Sequence, residues 1–131
     1  GSTKYLEKYG IPKTTNDLNK HRFISFGKGA PSPVFNPDWA LKLGNNDNKK
    51  RKPIMKVNSV MGLLLAVESG VGLAALPDYL VSQSQNVIKV LPKSEGPITE
   101  AHFVYPQSLK NVARVQAFRN FLYSKLSETK F

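Results

Sequence analysis

The chain has 131 residues and no cysteine, which fits one domain and excludes a disulfide framework and a thiolate metal site. Lysine and arginine number 19 against 9 acidic residues, so the net charge of +10 favours anionic partners. The longest apolar run, residues 60–67, is far shorter than the ~20 residues that span a bilayer, and the sequence contains no secretory signal pattern. We therefore expect a cytoplasmic protein with no membrane partner.

The order of apolar and polar residues predicts an α/β chain built from short elements. In chain order we predict a helix over Thr3–Tyr9, a helical turn over 18–21, strands over 22–26, 39–43 and 54–57, a helix that begins at Val60, a short strand over 73–76, a helix with Pro77 in its first turn, strands over 86–91 and 101–105, and a long helix from 110 to about 127. The strands at 39–43 and 54–57 are expected to form a hairpin with a long basic tip. The glycine- and proline-rich segment 27–37 is predicted to be a loop.

The stretch 57–80 combines a helix, a glycine turn, a short strand and a second helix. Asn58 or Ser59 is expected to cap the first helix, which is apolar on nearly every side and is therefore predicted to be buried. Gly70-x-Gly72 matches part of the dinucleotide-binding pattern, but that pattern needs a strand before it and a helix after it. Here the order is reversed, so we interpret the glycines only as a turn.

Residues that carry chemistry are few. The two histidines, His21 and His102, are interpreted as structural, and no two carboxylates lie close together in the sequence. The P-loop, nucleophile-elbow and zinc-protease patterns are absent, so we predict no enzyme, no cofactor and no metal. The basic run at 49–52 (KKRK) is expected to be a solvated loop tip, with a nucleic-acid patch or a localisation signal as the alternative.

A series of short motifs runs along the whole chain in a fixed order. Its members are Tyr5-Leu6 with Gly10-x-Pro12, Asp17-Leu18 with His21, Trp39, Val57-Asn58, SGVGLAALP at 69–77, VLP at 90–92, FVYP at 103–106 and R-V-x-A-F-x-x-F-L at 114–122. No single motif is diagnostic, but the ordered set is specific. In order and spacing it resembles the C-terminal effector-binding region of LysR-type transcriptional regulators.

The resemblance implies an α/β fold with a doubly wound mixed sheet and helices on both faces, as in one lobe of a type 2 periplasmic-binding-protein-like fold. Residues 1–92 would form the second lobe of the effector-binding domain. Residues 93–131 would supply a crossover strand and a C-terminal helix that returns to a first lobe, which this sequence lacks. The apolar face of that helix, which includes Val115 and Phe118, would then lose its partner. We expect the chain to self-associate, or the final helix to fold onto its own lobe.

Ligands of doubly wound sheets bind outside the carboxyl ends of the parallel strands. The candidate ligand-binding residues at such ends are Phe26, Gly27, Asn58, Ser59, Val60 and Pro77. Helix N-termini, as predicted after Ser59 and at Pro77, suit a carboxylate or a phosphate. We expect Asn58 and Ser59 to be polar contacts of the ligand, and Phe26 and Val60 to be apolar walls of its cleft. The alternative is that Asn58 and Ser59 serve only as helix caps. With half of the cleft absent, ligand affinity is expected to be weak.

The resemblance therefore predicts a ligand-sensing fragment of a LysR-type regulator. A small metabolite would bind between lobes, change how a homo-oligomer presents its DNA-binding domains and so control transcription. Contact with DNA would pass only through an N-terminal helix-turn-helix that this sequence does not contain. Two alternatives remain open: a solute-binding component of a transporter, and a basic module that binds nucleic acid directly through the charge of the chain and its 49–52 run.

Overall fold

The computed structural model describes residues 1–27, 38–45, 50–98, 100 and 102–128. The chain divides into two compact units, Gly1–Ile98 and Thr99–Phe131, and each is taken by itself below. Most of the predicted loop at 27–37, one residue of the basic run and one residue of the strand predicted at 101–105 lie outside the described residues.

Helix α1, Thr3–Tyr9, begins the first unit as the sequence predicts. The backbone of Ser2 is extended, and its hydroxyl accepts a hydrogen bond from the Tyr5 N–H at 3.4 Å, which satisfies one of the free donors of the first turn. The helix ends at Gly10, whose φ of +83° suits a residue without a Cβ. A 3-10 helix over Asp17–Lys20 then confirms the predicted helical turn.

Two short strands form a parallel sheet. Strand β1, Ile24–Phe26, pairs with strand β2, Met55–Val57, so that Ile24 lies opposite Met55 and Phe26 lies opposite Val57. The hairpin predicted between 39–43 and 54–57 is wrong, because Trp39–Lys42 is helical and β2 pairs in parallel with β1 instead. The parallel register brings the carboxyl ends of both strands to the same edge.

Part of the connection between β1 and β2 is helix α2, Trp39–Lys42, where the sequence predicts a strand. The strand prediction is wrong because alternation over five residues cannot be told from one helical turn. Leu41 is buried against the core formed by α1 and β1. The guanidinium of Arg51 donates to the carbonyl oxygen of Leu43, which stabilises the end of this short helix.

Two further predicted strands are reduced to single bridges. Leu73 forms a parallel bridge with Phe23, and its carbonyl accepts the Ile24 N–H at 2.8 Å, so β1 lies between β2 and this segment. Val87 forms an antiparallel bridge with Ser2. Among the described residues only β1 and β2 pair as strands, and the structure is a mixed α/β arrangement with a small parallel sheet.

Helix α3, Val60–Glu68, confirms the helix predicted in the stretch 57–80. The expectation of burial on nearly every side is wrong, because Met61 is 54% exposed and Leu65 is 58% exposed. Leu63 and Val67, which face the sheet, are buried. The helix packs on the sheet on one side only, and this leaves a second apolar strip uncovered.

The glycine turn that follows α3 has a steric cause. Gly70 has a φ of +78°, and a Cβ at Gly72 would lie 2.6 Å from the carbonyl oxygen of Arg22. Helix α4, Asp78–Val81, follows the Leu73 bridge. Pro77 stands at the cap position immediately before α4 and not in its first turn, where the sequence places it.

Strand β1 carries both parts of the core. Phe23, just before it, belongs to a cluster with α1 and α2, and Ile24 belongs to a cluster with α3. Successive residues of a strand point to opposite faces, so these two side chains serve opposite sides of β1. The first cluster consists of Tyr5, Leu6, Leu18, Phe23, Leu41 and Leu73, and the second of Ile24, Leu63 and Val67.

The second unit contains a 3-10 helix, Gln107–Leu109, and helix α5, Ala113–Glu128. Residues 102–105 do not form the predicted strand. Instead, the ring of Phe103 lies 5.4 Å from that of Tyr105 and meets that of Phe118 edge-on at 5.6 Å. More than half of the side chain of Phe118 and of Phe121 is exposed, so α5 presents apolar surface along its length.

Candidate functional site

The carboxyl ends of β1 and β2 lie side by side. The Gly27 N–H donates to the Val57 carbonyl at 2.8 Å and extends the parallel pairing by one residue beyond Phe26. A Cβ placed on Gly27 would lie 3.8 Å from the Cβ of Asn58. The structure thus brings Phe26, Gly27 and Asn58 together at one edge of the sheet, which we call the carboxyl edge.

Helix α3 starts at the same edge. Ser59 has an extended backbone (φ −133°, ψ 134°), and its hydroxyl accepts the Gly62 N–H at 3.3 Å. Its carbonyl accepts the Leu63 N–H at 2.9 Å. Ser59 is therefore the cap, and the first N–H groups of α3 point out of the helix end, where no turn of helix satisfies them. The partial positive charge at the N-terminus of α3 therefore lies at the carboxyl edge.

Asn58 differs from Ser59 because its side chain does not cap the helix. It is exposed and makes no hydrogen bond within the described residues. Its amide carries two donors and one acceptor that water or a ligand can take up. Of the two residues expected at the helix start, Ser59 caps α3, and Asn58 has no hydrogen-bonded partner in the described part of the chain.

The apolar candidates are placed less uniformly. Phe26 is only 7% exposed, so its ring belongs mostly to the interior and offers little surface to a ligand. Val60 is half-buried in the first turn of α3. Pro77 is half-buried and follows Leu76, which packs with Val57 against the cluster of Ile24 and α3. No described contact joins Pro77 to Asn58 or Ser59.

The two histidines have neighbours of their own. Nδ1 of His21 lies 3.3 Å from the hydroxyl of Tyr5, and burial lowers the pKa of this imidazole against the opposing effect of Asp17. His102 in the second unit lies 3.6 Å from the carboxylate of Glu100, and both side chains are exposed. Within the described ranges no three His, Cys, Asp or Glu side chains are grouped so that they could hold a metal ion.

Arg51 has a role that the sequence analysis missed. Its guanidinium donates to the carbonyl oxygens of Leu43 at 2.7 Å and Thr15 at 3.1 Å, and its Nε donates to Oδ1 of Asn19 at 2.8 Å. The same group lies 5.6 Å from the ring centroid of Phe23. Burial lowers the pKa of Arg51 below its ordinary value. One side chain thus joins the 3-10 helix, α2 and the core.

The expectation that the run at 49–52 is a solvated tip is therefore wrong for Arg51. Lys50 also has a partner, because it forms an ion pair with Asp38. A run of like charges in a sequence does not indicate which of its side chains will make contacts inside the protein. The signal in the sequence was the residue type, because only arginine has five donors in a planar fork that can serve several carbonyls at once.

The family model of the LysR substrate-binding domain matches residues 2–127, and the chain belongs to this family. The match covers both compact units and the whole carboxyl edge. It confirms the resemblance carried by the ordered motifs. No solved structure matches the chain significantly. In the parts of the chain that the structure describes, no helix has the length and apolar character needed to cross a membrane.

Two curated relatives are similar over most of this chain. An uncharacterised HTH-type transcriptional regulator of Haemophilus influenzae is 30% identical over 109 residues, which cover 80% of this chain and 36% of that protein. An HTH-type transcriptional regulator of Xanthomonas campestris pv. campestris is 28% identical over 130 residues, which cover 96% of this chain and 38% of that protein. The chain thus spans little more than a third of the length of these relatives.

Proposed function

We propose that this chain is the ligand-sensing part of a LysR-type transcriptional regulator and that it binds a small anionic effector at the carboxyl edge. The family match supports a sensing domain, and both relatives carry the name of transcriptional regulators. In this proposal a helix-turn-helix elsewhere in the intact regulator contacts DNA, and this chain transmits the presence of the effector. Its role is regulation and not catalysis.

The observation that carries the proposal is the bond from the Gly27 N–H to the Val57 carbonyl. It holds the exposed Asn58 amide and the first turn of α3 next to the end of β1. A carboxylate or a phosphate placed there would accept hydrogen bonds from backbone N–H groups and from the Asn58 amide, and would meet the positive end of the helix. The expected effector class follows from these donors.

The proposal also assigns an architecture to the chain, with a division at residue 92 that differs from the boundary of the two compact units. Residues 1–92 form the second lobe, with a doubly wound sheet of which β1, β2 and the Leu73 bridge are the described part. Residues 93–131 form the crossover segment and the helix that returns to a first lobe. An effector held between the lobes shifts the equilibrium between open and closed forms only by its different affinity for the two.

A titration with small carboxylates and phosphates tests the site. Because one lobe supplies only part of a cleft, we expect millimolar affinity, which two-dimensional NMR of the 15N-labelled chain can detect. Acetate, benzoate, citrate and inorganic phosphate are the probes. At least one should shift the amide signals of Gly27, Asn58 and Val60 in a saturable way.

Replacement of Asn58 by alanine should weaken this binding by about tenfold or more, since a hydrogen bond to a charged group is worth about 1.5–3 kcal/mol. Asn86→Ala is the matched control, because Asn86 is also exposed in the first unit but lies at the Val87 bridge. If the chemical-shift changes centre on other residues, or if Asn58→Ala and Asn86→Ala weaken binding equally, the carboxyl edge is not the binding site.

One observation bears on the direct nucleic-acid alternative. That alternative relied in part on the run at 49–52, of which Arg51 donates to internal carbonyls and Lys50 pairs with Asp38. These two cations have partners within the protein. The structure therefore gives the run less free positive charge than the sequence suggests.

A further inference from the structure

Two cationic side chains meet at one aromatic ring on the surface of the first unit. The ammonium of Lys8 lies 5.5 Å from the ring centroid of Tyr9, and the guanidinium carbon of Arg22 lies 5.1 Å from it. Both distances are within the range of cation–π attraction. We call Lys8, Tyr9 and Arg22 the Tyr9 cluster.

The cluster rests on a rigid base. The ring of Tyr5 is buried and lies 4.6 Å from that of Tyr9, with a tilt of 31°. The hydroxyl of Tyr5 accepts the backbone N–H of Arg22 at 2.9 Å and also contacts His21. This bond ties the end of α1 to the residue that precedes β1. The two cations are therefore carried by backbone segments that are fixed relative to each other.

The positive charge of the cluster is not balanced within the described residues. Lys8 and Arg22 are exposed, and neither forms an ion pair there. The carboxylate of Asp17 accepts hydrogen bonds from the backbone N–H and the hydroxyl of Thr14 and forms an ion pair with neither cation in the described part of the chain. Glu7, the other nearby acid in the sequence, is exposed on α1 and pairs with neither cation.

We propose that the Tyr9 cluster binds a phosphate-type oxyanion. An arginine fork donates two parallel hydrogen bonds to such a group, and a lysine supplies a mobile point charge. The attraction to one ring holds both cations at the same aromatic side chain, and an anion bound by one of them is also attracted by the charge of the other. The ligand has two possible sources, a free phosphate compound and the phosphodiester backbone of nucleic acid.

This site is separate from the carboxyl edge. Arg22 precedes β1 and Gly27 follows it, so extended backbone puts roughly 16 Å between them. The Tyr9 cluster therefore lies at the opposite end of the strand from Asn58. The inference does not rest on the proposed effector site, and the two can fail independently.

The test uses the whole chain with inorganic pyrophosphate in one arm and a short DNA duplex in the other, both at low salt. Arg22→Gln and Lys8→Gln remove the two charges, and neither side chain is part of the core. We expect each variant to weaken binding by about tenfold. Lys4→Gln is the matched control, since Lys4 is an exposed lysine of the same helix outside the cluster. Circular dichroism verifies that each variant is folded.

Binding of pyrophosphate that depends on Arg22 supports the proposal with a free anion as ligand. Binding of DNA alone supports it with a phosphodiester as ligand, and the slope of log K against log salt should then fall by about one for each cation removed. If neither probe binds, or if Lys4→Gln weakens binding as much as Arg22→Gln does, the proposal is overturned.

Discussion

Arg51 acts as a cross-link because its donors are directed at carbonyl groups of separate segments. We predict that Arg51→Lys lowers the free energy of unfolding by about 2 kcal/mol, since an ammonium cannot serve the carbonyls of Leu43 and Thr15 and the Asn19 side chain together. The urea midpoint measures the loss. The positive charge is kept, so an effect of this size reports geometry and not net charge.

The neighbouring Lys52 is the control for this prediction. It is exposed, and its replacement by alanine should change the free energy of unfolding by no more than about 0.5 kcal/mol. If Arg51→Lys proves as mild as Lys52→Ala, the described bonds of Arg51 contribute nothing to stability.

His21 gives the first unit a pH-dependent component of stability. Burial lowers the pKa of its imidazole from 6.5 in the folded protein, so the unfolded chain binds the proton more readily. The contribution of His21 to stability is fully present at neutral pH and above. It is lost as the pH falls from about 6.5 towards the lowered pKa of the folded protein. The Tyr5 hydroxyl, which accepts the Arg22 N–H, can donate to Nδ1 only while His21 is neutral.

We therefore expect His21→Gln to lose less stability than the unmodified chain between pH 7.5 and pH 5.5, as measured by urea unfolding at both values. The effect is small because the side chain is partly exposed. A His21→Gln curve parallel to that of the unmodified chain would contradict the assignment.

At the scale of the element, α3 separates buried leucines from exposed ones within one turn. Leu63 is 4% exposed and Leu65 is 58% exposed. We predict that Leu63→Ala lowers the free energy of unfolding by about 3 kcal/mol, because it removes buried methyl groups and leaves a cavity under the sheet. Leu65→Ala should cost no more than about 0.5 kcal/mol.

Both changes introduce the same residue into the same helix, so helix propensity cancels in the comparison. Chemical unfolding, with the slope against denaturant checked for constancy, gives both values. Equal costs for the two variants would mean that α3 is covered on both sides, as the sequence pattern suggests.

The elements that could be predicted from the sequence are those with a local signal. Helix α1 has a glycine stop, and α3 has a cap and a period that holds over nine residues. Helix α2 was missed because four residues are too few to show a period. The extent of burial around α3 was also missed, since apolar residues on two sides of a helix do not reveal which side meets the sheet.

At the scale of the whole molecule, α5 presents more apolar surface than a short unit can cover. Phe118, Phe121 and Leu126 are each more than half exposed, and such a surface favours association. We predict that the chain forms a homo-oligomer through this helix and that Phe121→Lys shifts the population towards monomer. Sedimentation velocity at several concentrations measures the change.

Asn120→Lys is the matched control, because it adds the same charge at the adjacent exposed position of α5. It should leave the distribution unchanged. A concentration-independent monomer for the unmodified chain would show that no second copy covers the apolar surface of α5.

The candidate site was predictable to the extent that it depends on strand direction. Parallel strands end at one edge, so Gly27 and Asn58 were expected to be neighbours, and the register joins them. The exposure of each side chain was not predictable, because it depends on how the core closes. Phe26 was expected as a cleft wall and lies mostly in the interior, and Arg51 was expected outside and lies across three segments.

The position of β1 also has a consequence for how fast the protein folds. Its neighbours are distant in the chain, since Ile24 meets Met55 and Phe23, just before the strand, meets Leu73. Every one of these contacts requires a long loop to close before it gives any stabilisation, and chains with such topology fold slowly. A mutation that stabilises a helix formed only after the transition state would slow unfolding and leave the folding rate almost unchanged. The folding rate is therefore limited by the chain entropy that is lost when distant segments close onto the three-residue strand β1.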